Sequence, residues 1–408
     1  MTPIENQTPF SILDQDLYKF CMQQAVLEHY SDVVVNYSFI NRDPSMRFSK
    51  SALSMLQRGI EKMAQVIATK DELEYLQSTC PYLSDKYIQY LASYRFNPLE
   101  EIKCSLNEKT GILDLKISGK WCQTILYEVP LLALISESYY RNVDTDWNYN
   151  GQHENIMQKG TMLAKAGCNF SEFGTRRRRD FKTQDIVMSG LAMLPADYTG
   201  RCTGTSNVYL ARKYGVTPVG TVGHEWTMGV AALEGTYENG NSLALQKWYS
   251  TFKGNLGIAL TDTFGTKAFF ANFNHELASK YDGVRHDSGN PYDFITRVYN
   301  HYKQLGIDPS TKMVVFSDGL CPTKAIDIKK HCDRFSLKCL FGIGTNFTND
   351  FHCASDPSVL SKAPNFVIKL LRCNEKPCVK LSDDKTKHAG DNAEVAHAQN
   401  HLTELGLF

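Results

Sequence analysis

The 408-residue sequence has no run of about 18 uncharged apolar residues, which predicts that no segment spans a membrane. Its opening stretch, MTPIENQTPF, contains neither a basic n-region nor an apolar h-region, so we expect no signal peptide. It has no net charge at pH 7 either, with 44 lysines and arginines against 44 aspartates and glutamates. The total charge therefore gives no sign of a nucleic-acid or anionic-membrane surface.

The 12 cysteines include no CxxC pair of the kind that metal sites use. They are scattered along the chain, which favours reduced thiols and a cytoplasmic protein. Apolar residues make up 42% of the sequence and charged residues 22%, a composition typical of folded globular proteins. The length predicts about two or three domains.

The first third of the chain mixes helical and strand patterns. Apolar residues at helical spacing predict a helix from Asp14 to His29, with Asp14 as its cap. The β-branched and aromatic run that follows predicts a strand ending at Arg42. The further predicted elements are helices over residues 50–67 and 70–94 and a strand over residues 111–118.

From about residue 140, short apolar strands alternate with helical segments. This alternation predicts a parallel α/β arrangement. Polar residues and glycines gather just after each strand, where α/β barrels keep their chemistry, so a barrel is the first choice. An open doubly wound sheet would show the same alternation. The segments are CNFSEFGTRRR, CTGTSN, VTPVGTVGHEW, LGIALTDTFGT, YDGVRHDSGNP, MVVFSDGL and CLFGIGTNFTND.

The densest charge cluster is the run Arg176 to Arg179, directly after NFSEFG. Charge runs are often solvated surface, but guanidinium groups at a strand end bind phosphate or carboxylate in bidentate fashion. Four arginines on a strand cannot all face one pocket, because alternate side chains point to opposite sides. We therefore predict that Arg176 binds an anion, and the sequence leaves Arg177, Arg178 and Arg179 unassigned.

Two glycine-containing loops follow consecutive predicted strands, Ser317–Asp318–Gly319 after MVVF and residues 342–346 after CLF. Such loops can present backbone N–H groups to a phosphate. Neither matches the dinucleotide or P-loop pattern, and a tight turn alone would explain either one. Two of them on consecutive strands favour a phosphate site that includes Gly342, Gly344 and Thr345.

Asp287, Ser288 and Gly289 follow the strand-like GVR and precede a helix with Pro291 in its first turn. N-capping by Asp287 or Ser288 would explain the pattern. A carboxylate at a strand end can also accept hydrogen bonds from sugar hydroxyls or hold a hydrated magnesium ion. Asp262, after LGIAL, presents the same alternatives.

His224 stands at the start of the helical pattern EWTMGVAALEG. Most histidines have no catalytic role, but a helix N-terminus favours the neutral imidazole and stabilises a phosphoryl group placed on it.

Tyr18 and Phe173 are candidates for a pair that stacks on a flat ring, although core packing is the usual role of such side chains.

The ordered motifs EFGTRRR, GTSN, GTVGHEW, DTFGT, VRHDSGNP, FSDGL and FGIGTNFTND, with DQDLYKFCM before them and KLSD after them, cover nearly the whole chain. Together they make the sequence resemble the nicotinate phosphoribosyltransferase family. The resemblance implies an irregular α/β barrel over residues 141–364, joined to a smaller α+β domain formed by residues 1–140 and 365–408. It also implies a homodimer with its site at the subunit interface.

The implied reaction joins nicotinate to 5-phosphoribosyl 1-pyrophosphate, giving nicotinate mononucleotide and pyrophosphate, as the first step of NAD salvage from nicotinate. ATP hydrolysis is implied to be coupled to it through transient phosphorylation of His224. ATP and Mg²⁺ would act as cosubstrate and counter-ion, with Mg²⁺ near Asp287 but no tight metal site. No organic cofactor, nucleic acid or membrane partner is implied.

The resemblance also implies roles for the candidate residues. Tyr18, from the neighbouring subunit, and Phe173 would sandwich the pyridine ring. Arg176 and Arg285 would hold phosphate, pyrophosphate or carboxylate charge, and Asp287 would contact the ribose hydroxyls. The two glycine loops would cradle the 5′-phosphate.

Substrate choice depends on Ser206 in GTSN. The relative that uses nicotinamide typically has aspartate there, so the serine removes a negative charge that would repel nicotinate. A nicotinamide or a quinolinate phosphoribosyltransferase, the latter without ATP, remains an alternative. An RNA-binding protein built around the arginine run is a further one, which the zero net charge and the lack of other basic clusters disfavour.

Overall fold

The computed structural model describes residues 10–408 and contains a parallel sheet, an antiparallel sheet, a short two-stranded sheet and surrounding helices. The strands are β1 (Val34–Asn41), β2 (Ile102–Asn107), β3 (Ile112–Lys120), β4 (Phe170–Glu172), β5 (Cys202–Thr205), β6 (Ile258–Leu260), β7 (Gly283–His286), β8 (Met313–Phe316), β9 (Lys338–Ile343), β10 (Phe351–His352), β11 (Leu360–Ser361), β12 (Phe366–Cys373) and β13 (Lys376–Pro377).

The α-helices run along the whole described chain. They are α1 (Leu17–His29), α2 (Lys50–Met63), α3 (Lys70–Thr79), α4 (Asp85–Ser93), α5 (Pro98–Glu101), α6 (Trp121–Thr124), α7 (Glu128–Asn142), α8 (Gln152–Lys165), α9 (Phe181–Ala192), α10 (Val208–Tyr214), α11 (His224–Glu234), α12 (Gly240–Phe252), α13 (Thr266–Asn272), α14 (His275–Lys280), α15 (Pro291–Gln304), α16 (Pro322–Arg334), α17 (Thr345–Thr348) and α18 (Asn392–Glu404). None of these helices is both long enough and apolar enough to cross a membrane.

The antiparallel sheet has the strand order β13-β12-β1-β3-β2. Its central strand β1 buries alternate residues, including Val35 and Tyr37, as expected for a strand with one face on the core. Strand β12 pairs with β1 along its length, so a segment from near the end of the chain completes a sheet begun near its start. The predicted domain boundaries stay predictions.

The parallel sheet has the strand order β5-β4-β9-β8-β7-β6. With the antiparallel sheet it confirms the predicted α/β class. The extended segment 217–219 adds to the outer edge of β5, where the Thr205 N–H donates to the Thr217 carbonyl at 3.2 Å. Within residues 10–408 no ladder joins this edge to β6, so closure of the sheet into a barrel stays a prediction.

Two local predictions in the first third of the chain are wrong. Helix α1 begins at Leu17 and Asp14 does not cap it, because the Asp14 carboxylate instead pairs with the buried Arg178 at 2.7 Å. The helix predicted over residues 70–94 is two helices, since Pro81 interrupts the pattern and the Ser84 hydroxyl accepts the Tyr87 N–H to start α4.

Candidate active site

A cavity of about 1110 Å³ opens at the carboxyl ends of the parallel strands, with β12 and the start of α1 completing its wall. Most of the candidate residues line it, because parallel strands end along one edge of their sheet. Those that line it are Tyr18, Phe173, Arg176, Ser206, His224, Arg285, Asp287, Ser317, Asp318, Gly319, Gly342, Gly344 and Thr345. Asp262, Ser288 and Gly289 are not among its lining residues.

Tyr18 and Phe173 both line the cavity of a single chain. The Phe173 ring packs closely against Gly342, where a Cβ atom would lie 2.4 Å from a ring carbon, so glycine leaves room for the ring as it is placed. The Tyr18 hydroxyl donates to Glu128 at 3.2 Å. That a neighbouring subunit supplies Tyr18 stays a prediction.

The four consecutive arginines divide into two pairs. Arg176 and Arg177 both line the cavity, because Thr175–Arg177 forms a 3-10 turn to which the alternation of strand side chains does not apply. Arg178 is buried and donates to Asp14 and Gln184 at 2.7 and 2.9 Å. Arg179 is buried with its guanidinium 3.7 Å from the centre of the Tyr140 ring.

Replacing Arg178 with methionine should therefore destabilise the protein rather than alter its site. The Arg178→Met variant leaves Asp14 buried without its cationic partner, and we expect the free energy of unfolding to fall by about 3–5 kcal/mol. Arg176→Met is the matched control, because the Arg176 side chain is 40% exposed and its loss should change stability by only about 1 kcal/mol. Urea unfolding of both variants measures the difference, and equal stabilities would refute the structural role of Arg178.

His224 is the first residue of α11 and donates from Nε2 to Asp262 Oδ1 at 2.7 Å. Burial, helped by the charge of Lys380, lowers the pKa of His224 to about 4, although Asp262 acts in the opposite direction. The imidazole is therefore neutral at pH 7. With its proton on Nε2 toward Asp262, it carries its lone pair on Nδ1.

Asp262 is fully buried behind His224. It accepts hydrogen bonds from Ser288 at 2.7 Å and Ser382 at 3.1 Å, and Lys380 lies 3.3 Å away. Burial alone would raise the pKa of Asp262, but Lys380 and the hydrogen bond from His224 hold it well below its ordinary value. An ionised carboxylate thus fixes the orientation of the imidazole.

Arg285 and Asp287 are linked through the Ser317 loop. Arg285 contacts Asp287 Oδ1 at 3.0 Å and donates to the Ser317 hydroxyl at 2.8 Å, and that hydroxyl donates to the same Asp287 oxygen at 2.6 Å. Burial tends to raise the pKa of Asp287, but Arg285 outweighs it and keeps the carboxyl ionised. The proposed capping by Asp287 or Ser288 is wrong, because Asn290 caps α15.

The side-chain atoms of His224, Asp262 and Asp287 that could ligate a metal ion lie within 4.8 Å of one another. Asp287 Oδ1 is engaged by Arg285 and Ser317, whereas Oδ2 lies 3.7 Å from His224 Nε2. Carboxylate oxygens are the ligands that Mg²⁺ prefers, and it usually keeps several waters. Oδ2 of Asp287 is therefore the atom of this set that best fits a hydrated Mg²⁺ ion.

Arg42, Arg177 and Lys369 are three of the cationic side chains of the cavity that the sequence reasoning missed or left unassigned. Among residues 10–408 none of the three forms an ion pair. Burial and then the neighbouring Lys380 charge lower the pKa of Lys369 to about 7, and burial with Arg176 and Arg42 lowers that of Arg177 to about 10. Half-buried cations without an ion-pair partner favour a polyanionic ligand. The lone lysine in the apolar run NFVIKLL was the available signal.

Two carboxyl groups that the sequence reasoning did not identify, those of Asp16 and Glu172, lie at and behind the cavity wall. The Ser206 hydroxyl donates to Asp16 Oδ1 at 2.7 Å, so serine at this position does not leave its surroundings free of carboxyl groups. Burial raises the pKa of Asp16.

Glu172 is fully buried at the end of β4 and accepts hydrogen bonds from Thr205, Gln184 and the Gly174 N–H. It thereby holds the turn that carries Phe173 and Arg176. Burial raises the pKa of Glu172 to about 7.

Buried cations and a His–Asp pair around one cavity at the strand ends of an α/β fold define an enzyme site for anionic small molecules. The chain belongs to the nicotinate phosphoribosyltransferase family. The profile described as "Nicotinate phosphoribosyltransferase (NAPRTase) family" matches residues 168–404, and that of the family's N-terminal domain matches residues 13–136.

Relatives match over nearly the full length. A probable nicotinate phosphoribosyltransferase of Schizosaccharomyces pombe is 45% identical over 398 residues, covering 96% of this chain and 97% of the relative. A nicotinate phosphoribosyltransferase of Methanosarcina mazei is 43% identical over 415 residues, covering 97% of this chain and 99% of the relative. The crystal structure of the Porphyromonas gingivalis nicotinate phosphoribosyltransferase superposes with a TM-score of 0.89 at 37% identity, covering 96% of this chain and 99% of that one.

Proposed function

We propose that this protein transfers the phosphoribosyl group of 5-phosphoribosyl 1-pyrophosphate to nicotinate, coupled to ATP hydrolysis through phosphohistidine at His224. The product, nicotinate mononucleotide, would enter NAD salvage. One observation carries the proposal: a single cavity holds an aromatic pair for a flat ring, cationic groups for phosphates and a neutral histidine at a helix N-terminus. The family membership of the chain supports it.

The pyridine ring would stack on Tyr18 and Phe173, which both line the cavity, and Arg176, 5.9 Å from the centre of the Tyr18 ring, would meet the ring carboxylate. Glu128 holds Arg176 by an ion pair at 3.2 Å, which fixes the direction of the guanidinium. Arg176 and the two aromatic side chains would thus position the ring and its carboxylate.

The phosphates have two groups of partners in the same cavity. The unpaired cations Arg42, Arg177 and Lys369 suit the pyrophosphate, and the loops at residues 317–319 and 342–345 suit the 5′-phosphate. Gly319 has a φ of 54°, which lets its loop turn tightly at the cavity wall. Asp287 is placed to accept hydrogen bonds from ribose hydroxyls, and a Mg²⁺ ion on its Oδ2 would supply charge neutralisation for the leaving pyrophosphate.

The transfer itself needs positioning and charge stabilisation more than proton transfer. The bond from the ribose carbon to pyrophosphate breaks and leaves positive charge on the sugar ring, and the pyridine nitrogen attacks the opposite face with its own lone pair. No side-chain base is required for this step. The cavity residues therefore act by holding the two substrates in line.

His224 would serve energy coupling. Its Nδ1 lone pair attacks the γ-phosphorus of ATP, an N–P bond forms, and the bond to the bridging oxygen breaks to release ADP. Asp262 keeps the Nε2 proton in place during this step, since it accepts that hydrogen bond at 2.7 Å. The phosphorylated ring is then stabilised by the N-terminus of α11.

The test of the proposed function is a product assay. Purified protein is incubated with 5-phosphoribosyl 1-pyrophosphate, Mg²⁺ and ATP, together with nicotinate, nicotinamide or quinolinate, and the mononucleotides are separated by chromatography. We expect nicotinate mononucleotide as the main product and a higher rate with ATP. Equal turnover of nicotinamide, or conversion of quinolinate without ATP, would favour the corresponding alternative. The homodimer and the cytoplasmic location implied by the resemblance stay predictions.

Substrate choice gives a second prediction at Ser206. The Ser206→Asp variant would place a second carboxyl group beside Asp16, where it repels the nicotinate carboxylate, and we expect the KM for nicotinate to rise roughly tenfold or more. Ser206→Asn is the matched control, because asparagine has nearly the size of aspartate without its charge. Steady-state kinetics with nicotinate and nicotinamide measure the preference. An unchanged preference in Ser206→Asp would show that the side chain at this position does not select the acid.

A further inference from the structure

Lys19 is a fully buried lysine that bridges two carboxylates of the cavity wall. Its ammonium nitrogen lies 2.6 Å from Glu128 Oε2 and 2.5 Å from Glu225 Oε2, and its side chain has no exposed surface. Burial alone would lower the pKa of Lys19, but the two carboxylates outweigh it and raise the pKa above its ordinary value. For Glu128, burial acts upward and the Lys19 and Arg176 charges bring the pKa down to about 2. Lys19 and Glu128 are therefore both charged at neutral pH.

The two carboxylates belong to different parts of the site. Glu128 contacts Arg176 at 3.2 Å through Oε1 and accepts the Tyr18 hydroxyl at 3.2 Å through Oε2. It thus holds the side chains proposed to bind the nicotinate ring and its carboxylate. Lys19 follows Tyr18 directly in the first turn of α1. One turn of helix therefore sends Tyr18 into the cavity and Lys19 into the interior behind it.

Glu225 follows His224 directly in the first turn of α11. Its Oε1 accepts hydrogen bonds from Tyr37 at 2.5 Å and Trp121 at 2.7 Å, whereas its Oε2 contacts Lys19. Both carboxylate oxygens of Glu225 are therefore held in place. Among residues 10–408, no charged side chain other than Lys19 forms ion pairs with both Glu128 and Glu225. The start of α11 also contacts α1 directly, because the Gly223 N–H donates to Met22 Sδ at 3.3 Å.

We propose that Lys19 is a positioning residue that fixes Tyr18 and Arg176 relative to His224, and thereby keeps ATP hydrolysis coupled to phosphoribosyl transfer. The inference rests on the proposed function. Its physical basis is that a buried ammonium held by two charge-assisted hydrogen bonds resists displacement of either partner. When the charge of His224 changes on phosphorylation, the first turn of α11 stays in register with the ring-binding side chains. Without the bridge, His224 can lose its phosphate before the ring is in place.

The experiment uses a charge-balanced variant, because Lys19→Met alone would leave Glu225 buried without a cation and could prevent folding. In the double variant Lys19→Met/Glu225→Gln, Glu128 keeps Arg176 as its partner, and the glutamine can still accept from Tyr37 and Trp121. Lys312→Met is the matched control. Lys312 is also buried, but it donates to the carbonyls of Ala278 and Tyr281 and does not line the cavity.

Four quantities are measured on each protein: ATP hydrolysed per nicotinate mononucleotide formed, the KM and kcat for nicotinate, acid-labile phosphate on His224, and the midpoint of thermal unfolding. In the double variant we expect the ATP ratio to rise about fivefold and the KM for nicotinate about tenfold, while labelling of His224 persists. Lys19→Arg should restore part of both values. Lys312→Met should lower the unfolding midpoint and leave the ratio and the KM unchanged.

An unchanged ATP ratio and KM in the double variant would overturn the inference, even if kcat or the unfolding midpoint fell, because those changes report a merely structural lysine. Failure of the proposed function looks different. It would be seen in the unsubstituted protein, as an absence of nicotinate mononucleotide or as turnover that ATP does not stimulate. That result would also remove the coupling that this inference assigns to Lys19.

Discussion

Replacement of His224 by alanine is expected to abolish the acid-labile phosphate that γ-labelled ATP leaves on the protein. The ATP-stimulated part of turnover should disappear with it, a loss on the order of 100-fold or more. The reason lies in the local structure: the imidazole has a pKa of about 4 because burial and Lys380 disfavour its cation, so its lone pair is available at neutral pH. No other side chain that faces Asp262 offers a nucleophilic ring nitrogen in the described chain.

The measurement maps the acid-labile label under turnover conditions and compares rates with and without ATP. His301→Ala is the matched control, since the His301 ring donates to the Phe273 carbonyl at 2.7 Å and does not line the cavity. It should keep both the label and the stimulation. Loss of ATP stimulation in His224→Ala alone would reject the quinolinate alternative, whereas absence of label on the unsubstituted protein would remove the phosphohistidine mechanism.

The second large effect is expected at Asp287. In Asp287→Asn the side chain keeps its size but loses the charge that pairs with Arg285 at 3.0 Å and that we propose accepts hydrogen bonds from the ribose hydroxyls. Each hydrogen bond to a charged group contributes about 1.5–3 kcal/mol, so loss of two of them lowers kcat/KM for 5-phosphoribosyl 1-pyrophosphate roughly 1000-fold. Phosphorylation of His224 by ATP should persist, because the Asp262 hydrogen bond is untouched.

Steady-state kinetics at saturating nicotinate give this value, and labelling with γ-labelled ATP gives the second readout. Asp293→Asn is the matched control, because Asp293 lies in the first turn of α15 and is exposed. A fall of less than about tenfold in Asp287→Asn would show that Asp287 does not contact the transferred ribose. Retention of RNA at physiological salt by a protein without transferase activity would instead favour the RNA-binding alternative.

Local sequence patterns located the part of the site that parallel strands carry. Asp287 and the Ser317 loop were predicted as candidates because each follows a predicted strand, and the carboxyl ends of parallel strands meet at one edge. Arg285, within β7, came from the family resemblance instead. The same reasoning failed for Arg177, since the chain leaves β4 as a 3-10 turn rather than as an extended strand. The helix-capping prediction for Asp14 failed for a different reason. The buried Arg178 requires a carboxylate more strongly than a helix requires its cap.

Other groups of the site come from elements that no local pattern connects to the parallel strands. Lys369 reaches the cavity from β12, and Glu128 from the start of α7. Their side chains face the strand ends only because the antiparallel sheet and α7 pack over that edge of the parallel sheet. The sequence shows a lysine in an apolar strand and a glutamate before an apolar helix, without indicating what either one faces.

The sequence by itself determined the α/β class, the family resemblance and the positions where polar residues end the parallel strands, because these depend on spacing along the chain. Tertiary structure alone decided how the charges pair. The zero net charge says nothing of this pairing, in which cations meet carboxylates at and behind the cavity wall, as in Arg285 with Asp287 and Lys19 with Glu128 and Glu225. The cost of a buried charge depends on the distance to its partner, and that distance is set only when remote segments pack together.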